Sequence, residues 1–295
     1  MRFEQLRYLE AALRTGSFRK AAVELRVAQP TISTQVQRLE EDLGVVLLIR
    51  GTQGVRPTYA VEQLLPHFMT ALRAEHAMRQ GASAIGGLRE GRINLAAVSA
   101  ASQTILPRVV RRLQREYPNI HFQVIETGSQ SVHAGVADGR FDAGLMTRFK
   151  GQPADNMRYV DLAEGRHVLA VPEGHPLASK STISGADLEG QPVIIFTLPS
   201  LVRQAFEMLT EGVAINPVYY TDSPETAQRM VRAGVGIAIG NTLAVSTRSG
   251  DGAVLVPLKG DAFELRLSVV LRPDEQLSPA LSIFLQLLRE ERAAQ

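Results

Sequence analysis

Between Gln29 and Arg38 the chain carries Thr31, Thr34, Gln35 and Arg38 at helical spacing, all able to hydrogen-bond and none acidic. Short hydroxyl and amide side chains on one helix face can reach base edges without forcing the backbone out of a duplex groove. Farther on, the run from Arg50 to Arg56 brackets two glycines with basic residues, a composition suited to a two-stranded wing lying along phosphate. A second polar set follows a series of apolar runs: Ser99, Ser102 and Gln103, then Gly128 and Ser129, Thr147 and Arg148, Thr197 and Ser200, and Thr221. Hydroxyls at strand ends, beside free helix-start N–H groups, make a pocket favourable to an anion. The same residues also serve as ordinary N-caps and turn formers.

Covalent and metal chemistry find little purchase. The 295 residues contain no cysteine, which removes thiolate nucleophiles, disulfides and cysteine-ligated metals. Six histidines (His67, His76, His121, His133, His167 and His175) show no close metal-ligand spacing, and no nucleophile elbow, phosphate loop or dinucleotide fingerprint is present. No catalytic residue, metal or cofactor is expected, and no enzyme.

Composition sets the frame. Apolar residues form 45% and charged residues 21% of the chain, as in globular proteins. No apolar run reaches membrane-spanning length, and Met1 to Glu10 lacks the apolar stretch of a signal peptide. A cytoplasmic location without membrane association is expected. Net charge is only +2, yet residues 1–60 alone hold 9 basic and 6 acidic residues, which permits nucleic-acid binding.

The elements that must position these groups can be read in order. Leu6, Leu9 and Leu13 form an amphipathic stripe. Ser17 caps Phe18 to Leu25, and Pro30 opens a third helix running to Leu43 and stopped by Gly44. Ile32, Val36, Leu39 and Leu43 are its core face. Glu40, Glu41 and Asp42 would oppose both the helix dipole and an approaching phosphate, leaving the N-terminal half to meet DNA. Thr58 caps a long segment through about Gly81, which Pro66 should kink or delay. Val61, Leu65, Phe68 and Leu72 make a stripe too narrow for a closed domain, whose natural use is pairing two chains. Gly81 to Gly91 reads as a hinge. Beyond it strands and helices alternate as two βαβαβ units with parallel pairing, and a final strand and helix, Phe263 to Arg272 and Leu281 to Glu290, return.

Ser17-Phe18, Ala21-Ala22, Leu25, Val27, Gln29-Pro30, Ser33, Leu39-Glu40, Leu43-Gly44, Leu47 and Arg50 together resemble the LysR family of bacterial transcriptional regulators. The likeness continues through Leu106-Pro107, Tyr117-Pro118, Gly139 with Asp142, His175-Pro176-Leu177 with Asp187-Leu188, and the stretch from Val231 to Ala238. Departures are Pro57-Thr58 and Ala60-Val61 at the linker start, Leu48 before the wing, and Gly240-Asn241 after the glycine-rich strand.

The resemblance implies an α+β multidomain chain. Residues 1–58 would form a winged helix-turn-helix and 59–88 a linker and dimerisation helix. An effector-binding domain over 89–295 would resemble periplasmic binding proteins, with lobe one about 91–161 and 266–295 and lobe two about 162–265. By resemblance, Gln29, Pro30, Thr31, Ser33, Thr34, Gln35 and Arg38 contact DNA, while Arg50 and Arg56 suit phosphate or the minor groove. Partners would be double-stranded promoter DNA, a small-molecule effector in the interlobe crevice (a carboxylate or similar anion favoured), a homodimer assembling to a homotetramer, and RNA polymerase. A two-lobed metabolic enzyme or a cytoplasmic small-molecule binding protein without DNA would explain only the C-terminal half.

Overall fold

The computed structural model describes residues 1–51, 54–85, 91–152, 155–197, 200–244, 252–273 and 277–293. It divides into two units, Met1–Gly87 and Leu88–Gln295. The first holds α1 (Phe3–Thr15), α2 (Phe18–Leu25), α3 (Gln29–Leu43), β1 (Leu48–Gly51), β2 (Gly54–Pro57) and α4 (Tyr59–Ile85).

Local chemistry explains the breaks between the helices. Gly16 and Gly44 end α1 and α3 in the left-handed region at φ 65° and 69°, where a glycine carries no steric penalty. Ser17 caps α2 through the Lys20 N–H. The small Ala21 and Ala22 are buried among Leu6, Leu9, Ile32, Val36 and Leu39 in one core, letting three helices approach closely. β1 and β2 pair antiparallel, with Arg50 opposite Val55. The wing lies close enough to the end of α1 for Val55 N to donate to Gly16 O at 2.9 Å, and a Cβ on Gly54 would sit 2.3 Å from that carbonyl oxygen. The tip, residues 52 and 53, lies outside the described residues.

The long helix departs from expectation in three ways. It is helical from Tyr59, with Pro66 inside it, so of the two effects expected of that proline, a kink or a delayed start, the delay does not occur. Helix persists to Ile85, so the expected hinge at 81–91 is helical in its first five residues, while 86–90 lie outside the described residues. Third, Val61 and Phe68 are only 1% and 7% exposed, and they close the three-helix core of their own unit, with Leu64, Ala71 and Leu72 packed against it. The stripe therefore does not require a second chain to bury those two residues. The reason is geometric: α4 lies against α1, and Arg7 of α1 donates to Glu75 of α4.

The second unit is built on β3 (Gly91–Ala97), β4 (Ile120–Glu126), β5 (Ala143–Phe149), β6 (Arg158–Pro172), β7 (Pro192–Phe196), β8 (Asn216–Thr221), β9 (Ile237–Asn241), β10 (Ala253–Pro257) and β11 (Glu264–Leu271). Its helices are α5 (Ser99–Gln103), α6 (Leu106–Glu116), α7 (Ser129–Ala137), α8 (Leu201–Leu209), α9 (Pro224–Arg232) and α10 (Pro279–Ala293). Strand order is β4-β3-β5-β11-β6-β9-β7-β8, with β10 also paired to β6.

Parallel pairing is found where βαβ units supply crossover helices, in β3 with β4 and β5 and in β7 with β8 and β9. The strand expected over Arg166 to Val171 behaves differently. As β6 it begins at Arg158, and it pairs antiparallel with β11, β9 and β10. No α-helix follows it before β7, only two 3-10 turns at Pro176–Ser179 and Gly185–Leu188, so it opens no second parallel crossover. The returning β11 lies between β5 and β6, and α10 packs against α6, β3 and β6.

Two main cores take side chains from β6, and a third, smaller cluster of Ala170, Ile194, Phe196, Ala227, Val231 and Ala238 completes the unit. Of the main two, one gathers Ile93, Leu95, Val109, Val132, Leu145, Val269 and Phe284; the other gathers Leu169, Val171, Leu188, Ile195, Phe206 and Ile237. Phe284 of α10 is fully buried and its ring lies 5.2 Å from that of Phe122 on β4. Replacing Phe284 with alanine should destabilise the second unit by about 3–5 kcal/mol, read by denaturant unfolding; a loss below about 1 kcal/mol would mean that the returning helix is not part of this core.

Candidate DNA-binding face and ligand cleft

The side chains of α3 separate into two faces. Ile32, Val36 and Leu39 are fully buried, whereas Gln29, Pro30, Thr31, Thr34 and Arg38 are exposed and Ser33 and Gln35 half-buried. Among the described residues no acid on the helix pairs with Arg38. The outer face offers amides, hydroxyls and one guanidinium in its first three turns, a donor and acceptor set able to read a major groove. Arg56 is exposed on β2.

Glu40 plays a part that the sequence did not disclose. One carboxylate oxygen accepts the backbone N–H groups of Leu47 and Leu48 at 2.8 and 3.0 Å. The other accepts from Arg50 at 2.9 Å. Arg50 also donates to Ser33 at 3.3 Å and stacks over the Phe18 ring. So Arg50, expected at phosphate, is first an anchor joining the wing to α2 and α3. Glu40 itself does not stand as a free charge against DNA, because Arg50 and two amides occupy it. Asp42 likewise takes the chain's N-terminal ammonium at 2.6 Å, and Glu41 accepts from Gln37.

In the second unit a cavity of about 540 Å³ opens between the two cores. Of the ten residues expected there, Ser99, Gly128, Ser129, Thr147 and Ser200 line it. The cavity lies at the start of α7, where Gly128 provides no side-chain cap and the amides of Ser129, Gln130 and Ser131 have no intrahelical partner. Ser129 and Thr147 touch through their hydroxyls at 3.1 Å. Ser200 caps α8 at Arg203 N, so its oxygen is already engaged.

The other expected residues lie elsewhere. Gln103 is exposed and turns back to donate to Ser99. Ser102 Oγ is buried without a partner outside the cavity lining. Thr197 donates to Asp222, and Thr221 accepts from Ser223 N; both hydroxyls are spent on the turns that follow their strands. Arg148 faces a neighbouring cavity of about 440 Å³. There its guanidinium pairs with Asp161 at 2.8 Å, donates to Ser268 and stacks over Tyr159. Burial alone would raise the Asp161 pKa, but the Ser268 hydroxyl and the cations Arg148 and Arg266 outweigh it and hold the carboxyl below its usual range. Arg148 is thereby committed to the sheet and not available as a ligand's charge partner in the first cavity.

Several lining residues escaped the sequence reading: Glu126, His167, Phe196, Asp222 and Asn241. His167 stands out. It is fully buried, and neither ring nitrogen has a hydrogen-bond partner of sound geometry. Burial pushes its pKa down to about 4 against a weaker opposing pull from the Phe263 backbone, so the imidazole is neutral at physiological pH. The available signal was a polar ring inside the apolar run of β6. No lysine or arginine lines this cavity among the described residues.

A winged three-helix unit followed by a two-core α/β unit with a central cleft narrows the choice sharply, and the family comparisons decide it. Residues 3–62 match the bacterial regulatory helix-turn-helix protein of the lysR family, and residues 86–293 match the LysR substrate binding domain. The chain belongs to the LysR family of bacterial transcriptional regulators. LysR-type proteins of this kind are DNA-binding regulators with an effector-binding domain, not enzymes. The chain is 30% identical to a hydrogen peroxide-inducible genes activator of Escherichia coli (strain CFT073) over 296 residues, covering 99% of this chain and 95% of that one. In fold it resembles full-length OxyR of Pseudomonas aeruginosa bearing a cysteine-to-aspartate substitution, with TM-score 0.67, 20% identity and coverage of 99% and 94%. Full-length CbnR bound to its target DNA superposes with TM-score 0.60 at 23% identity, covering 98% and 99%. No helix among the described residues is long and apolar enough to cross a membrane.

The Glu40 anchor yields a direct test. Glu40→Ala leaves the Leu47 and Leu48 amides and the Arg50 cation without their acceptor. It should lower the stability of the first unit by about 1–3 kcal/mol and weaken DNA binding, although Glu40 is an acid whose removal would otherwise strengthen it. Fluorescence anisotropy on a DNA duplex distinguishes the two: tighter binding would show Glu40 acting as a repelling charge.

Proposed function

We propose that this LysR-family regulator reads a palindromic promoter site with α3 and its wing, and that a small molecule in the cleft of its second unit alters that binding. The observation that carries the DNA part is the exposed polar face of α3 beside a wing pinned to it through Glu40 and Arg50. Gln29 and Gln35 are the base readers. Thr31 and Thr34 offer a hydroxyl or a methyl to neighbouring bases, and Ser33, Arg38 and Arg56 serve phosphate. The first unit's helix-turn-helix and wing occupy residues 1–58, the linker 59–88, and the effector part 89–295.

The ligand is a small anion such as a carboxylate. Its support is the uncapped start of α7 with the hydroxyls of Ser99, Ser129 and Thr147 around it, while Val98, Phe196, Leu201 and Val202 give an apolar wall for the rest of the molecule. A thiol-based response to peroxide is closed to these 295 residues, which contain no cysteine. Ligand binding shifts the population of lobe arrangements and thereby the promoter geometry. The working species is a homodimer paired into a homotetramer, acting in the cytoplasm where promoter DNA and RNA polymerase are found.

Selection of binding sites from random duplexes at stated salt tests the reading. The expected product is a palindrome with half-sites about 34 Å apart or a multiple of it, lost when residues 1–87 are removed; absence of enrichment overturns the reading. Gln35→Ala should change preference at one base by about 1–3 kcal/mol, whereas Arg56→Ala should weaken all sequences alike and flatten the salt dependence. Light scattering at micromolar concentration should give a tetramer or dimer; a monomer that binds the selected site with full affinity would refute the paired architecture.

A further inference from the structure

An anion-binding cleft normally contains an arginine or lysine, and this one has neither among its described lining residues. Its charged neighbours are the wrong sign: Glu126 at the end of β4 and Asp222 after β8 both line the cavity. The polar side chain buried deepest in the cavity lining is His167, whose ring nitrogens make no well-aligned hydrogen bond and feel only a weak pull from the Phe263 backbone. A buried donor and acceptor so poorly matched carry a desolvation cost that the Phe263 backbone offsets only in part. His167 also sits where β6 changes partners. Its neighbour Arg166 is opposite Glu264 of β11, while His167 itself is opposite Asn241 of β9.

Resting on the anionic ligand of the preceding section, we propose that His167 is the group that receives the ligand's anionic end, and that it takes up a proton from solvent as the anion enters.

Each charged group around the ring has a defined place. Arg166, on the same strand, donates to the Leu258 carbonyl. Glu264 of β11 pairs with Lys150, and Arg148 of β5 pairs with Asp161. On β9 the facing residue is the neutral Asn241, and on α7 and α8 the cavity residues are neutral. Phe149 packs against the ring at 5.5 Å between centroids. Glu126 and Asp222 are the only acids lining the cavity among the described residues, and both are exposed, so water screens them. The Phe263 backbone favours an imidazolium only weakly, and burial outweighs it and keeps the ring neutral. An anion placed against it supplies the missing counter-charge and raises its proton affinity. The sign follows by linkage: the bound state holds one more proton than the free state, so affinity rises as pH falls through the bound-state pKa, by at most ten-fold per pH unit.

The test uses the full chain and two probes, benzoate and its neutral isostere benzamide, by isothermal calorimetry at pH 7.5 and 5.5. Benzoate remains ionised across that range. Benzoate affinity is expected to rise on the order of ten-fold between the two pH values, with about one proton taken up per benzoate bound at pH 5.5 and little at pH 7.5 when buffers of different ionisation heat are compared. Benzamide affinity should not change. His167→Gln keeps a hydrogen-bonding side chain but cannot titrate, and should bind benzoate weakly and independently of pH. If that variant fails to fold, the proton count and the benzoate–benzamide contrast on the natural chain decide alone. Benzoate binding without proton uptake, benzamide binding at least as tightly as benzoate, or pH dependence that persists in His167→Gln would each overturn the assignment. So would failure of benzoate to bind at either pH. Duplex binding by the same preparation tells these failures apart from failure of the regulator reading, since a chain that selects its DNA site but ignores benzoate loses only His167's role.

Discussion

One fifteen-residue strand holds the effector unit together. β6 bonds to β11 along its first part and to β9 and β10 along its second, so each core borrows half of it. Rotating one core against the other must twist or slide this shared strand, which confines relative movement to small angles about a nearly fixed line. The cleft lies beside that line, and His167 stands where the pairing passes from one neighbour to the next. A ligand bound there would lie close to that shared strand.

A comparable economy holds in the first unit. The two strands of the wing are joined by only four residue pairs, too few to hold an orientation unaided. Its angle is set from outside by Glu40 with the Leu47 and Leu48 amides, by Arg50 on Ser33 and Phe18, and by Val55 on the Gly16 carbonyl. α3 and the wing are thus tied together through Glu40, Ser33 and Arg50. Charges near a nucleic acid need not all touch it; some are spent arranging those that do.

Much of this was legible from residue order because periodic patterns and stop signals agree. α2, α3 and β4 have clear caps, glycines or prolines at their ends, and their observed limits follow those signals closely. The first half of β6 was missed because Arg158 to Gly165 mixes exposed and half-buried residues around a single buried Leu162, as a strand does when only one of its edges is paired, here with β11. The cleft was read in part. Ser99 and Ser129 follow strands and do line it, as does Thr147 within β5, but Thr197 just after β7 and Thr221 at the end of β8 spend their hydroxyls on local turns. Type and position alone cannot separate those uses. Glu40 and His167 were hidden for a related reason: the value of each comes from residues distant in sequence, Leu47 and Arg50 for one, Asn241 and the cavity walls for the other.

The burial of Val61 and Phe68 beneath α1 has a consequence for anyone dividing or recombining this chain. A fragment cut after the wing would strip two large apolar side chains from the lid of a core containing Leu6, Leu9 and Ile32, leaving a sticky hollow where α4 had been. The helix that leads out of the DNA-binding unit is also its floor. A chimaera that grafts a foreign sensory part onto this DNA reader should therefore be spliced beyond Leu72, with the native helix retained to that point. Splicing at the wing's end would yield a reader prone to aggregate.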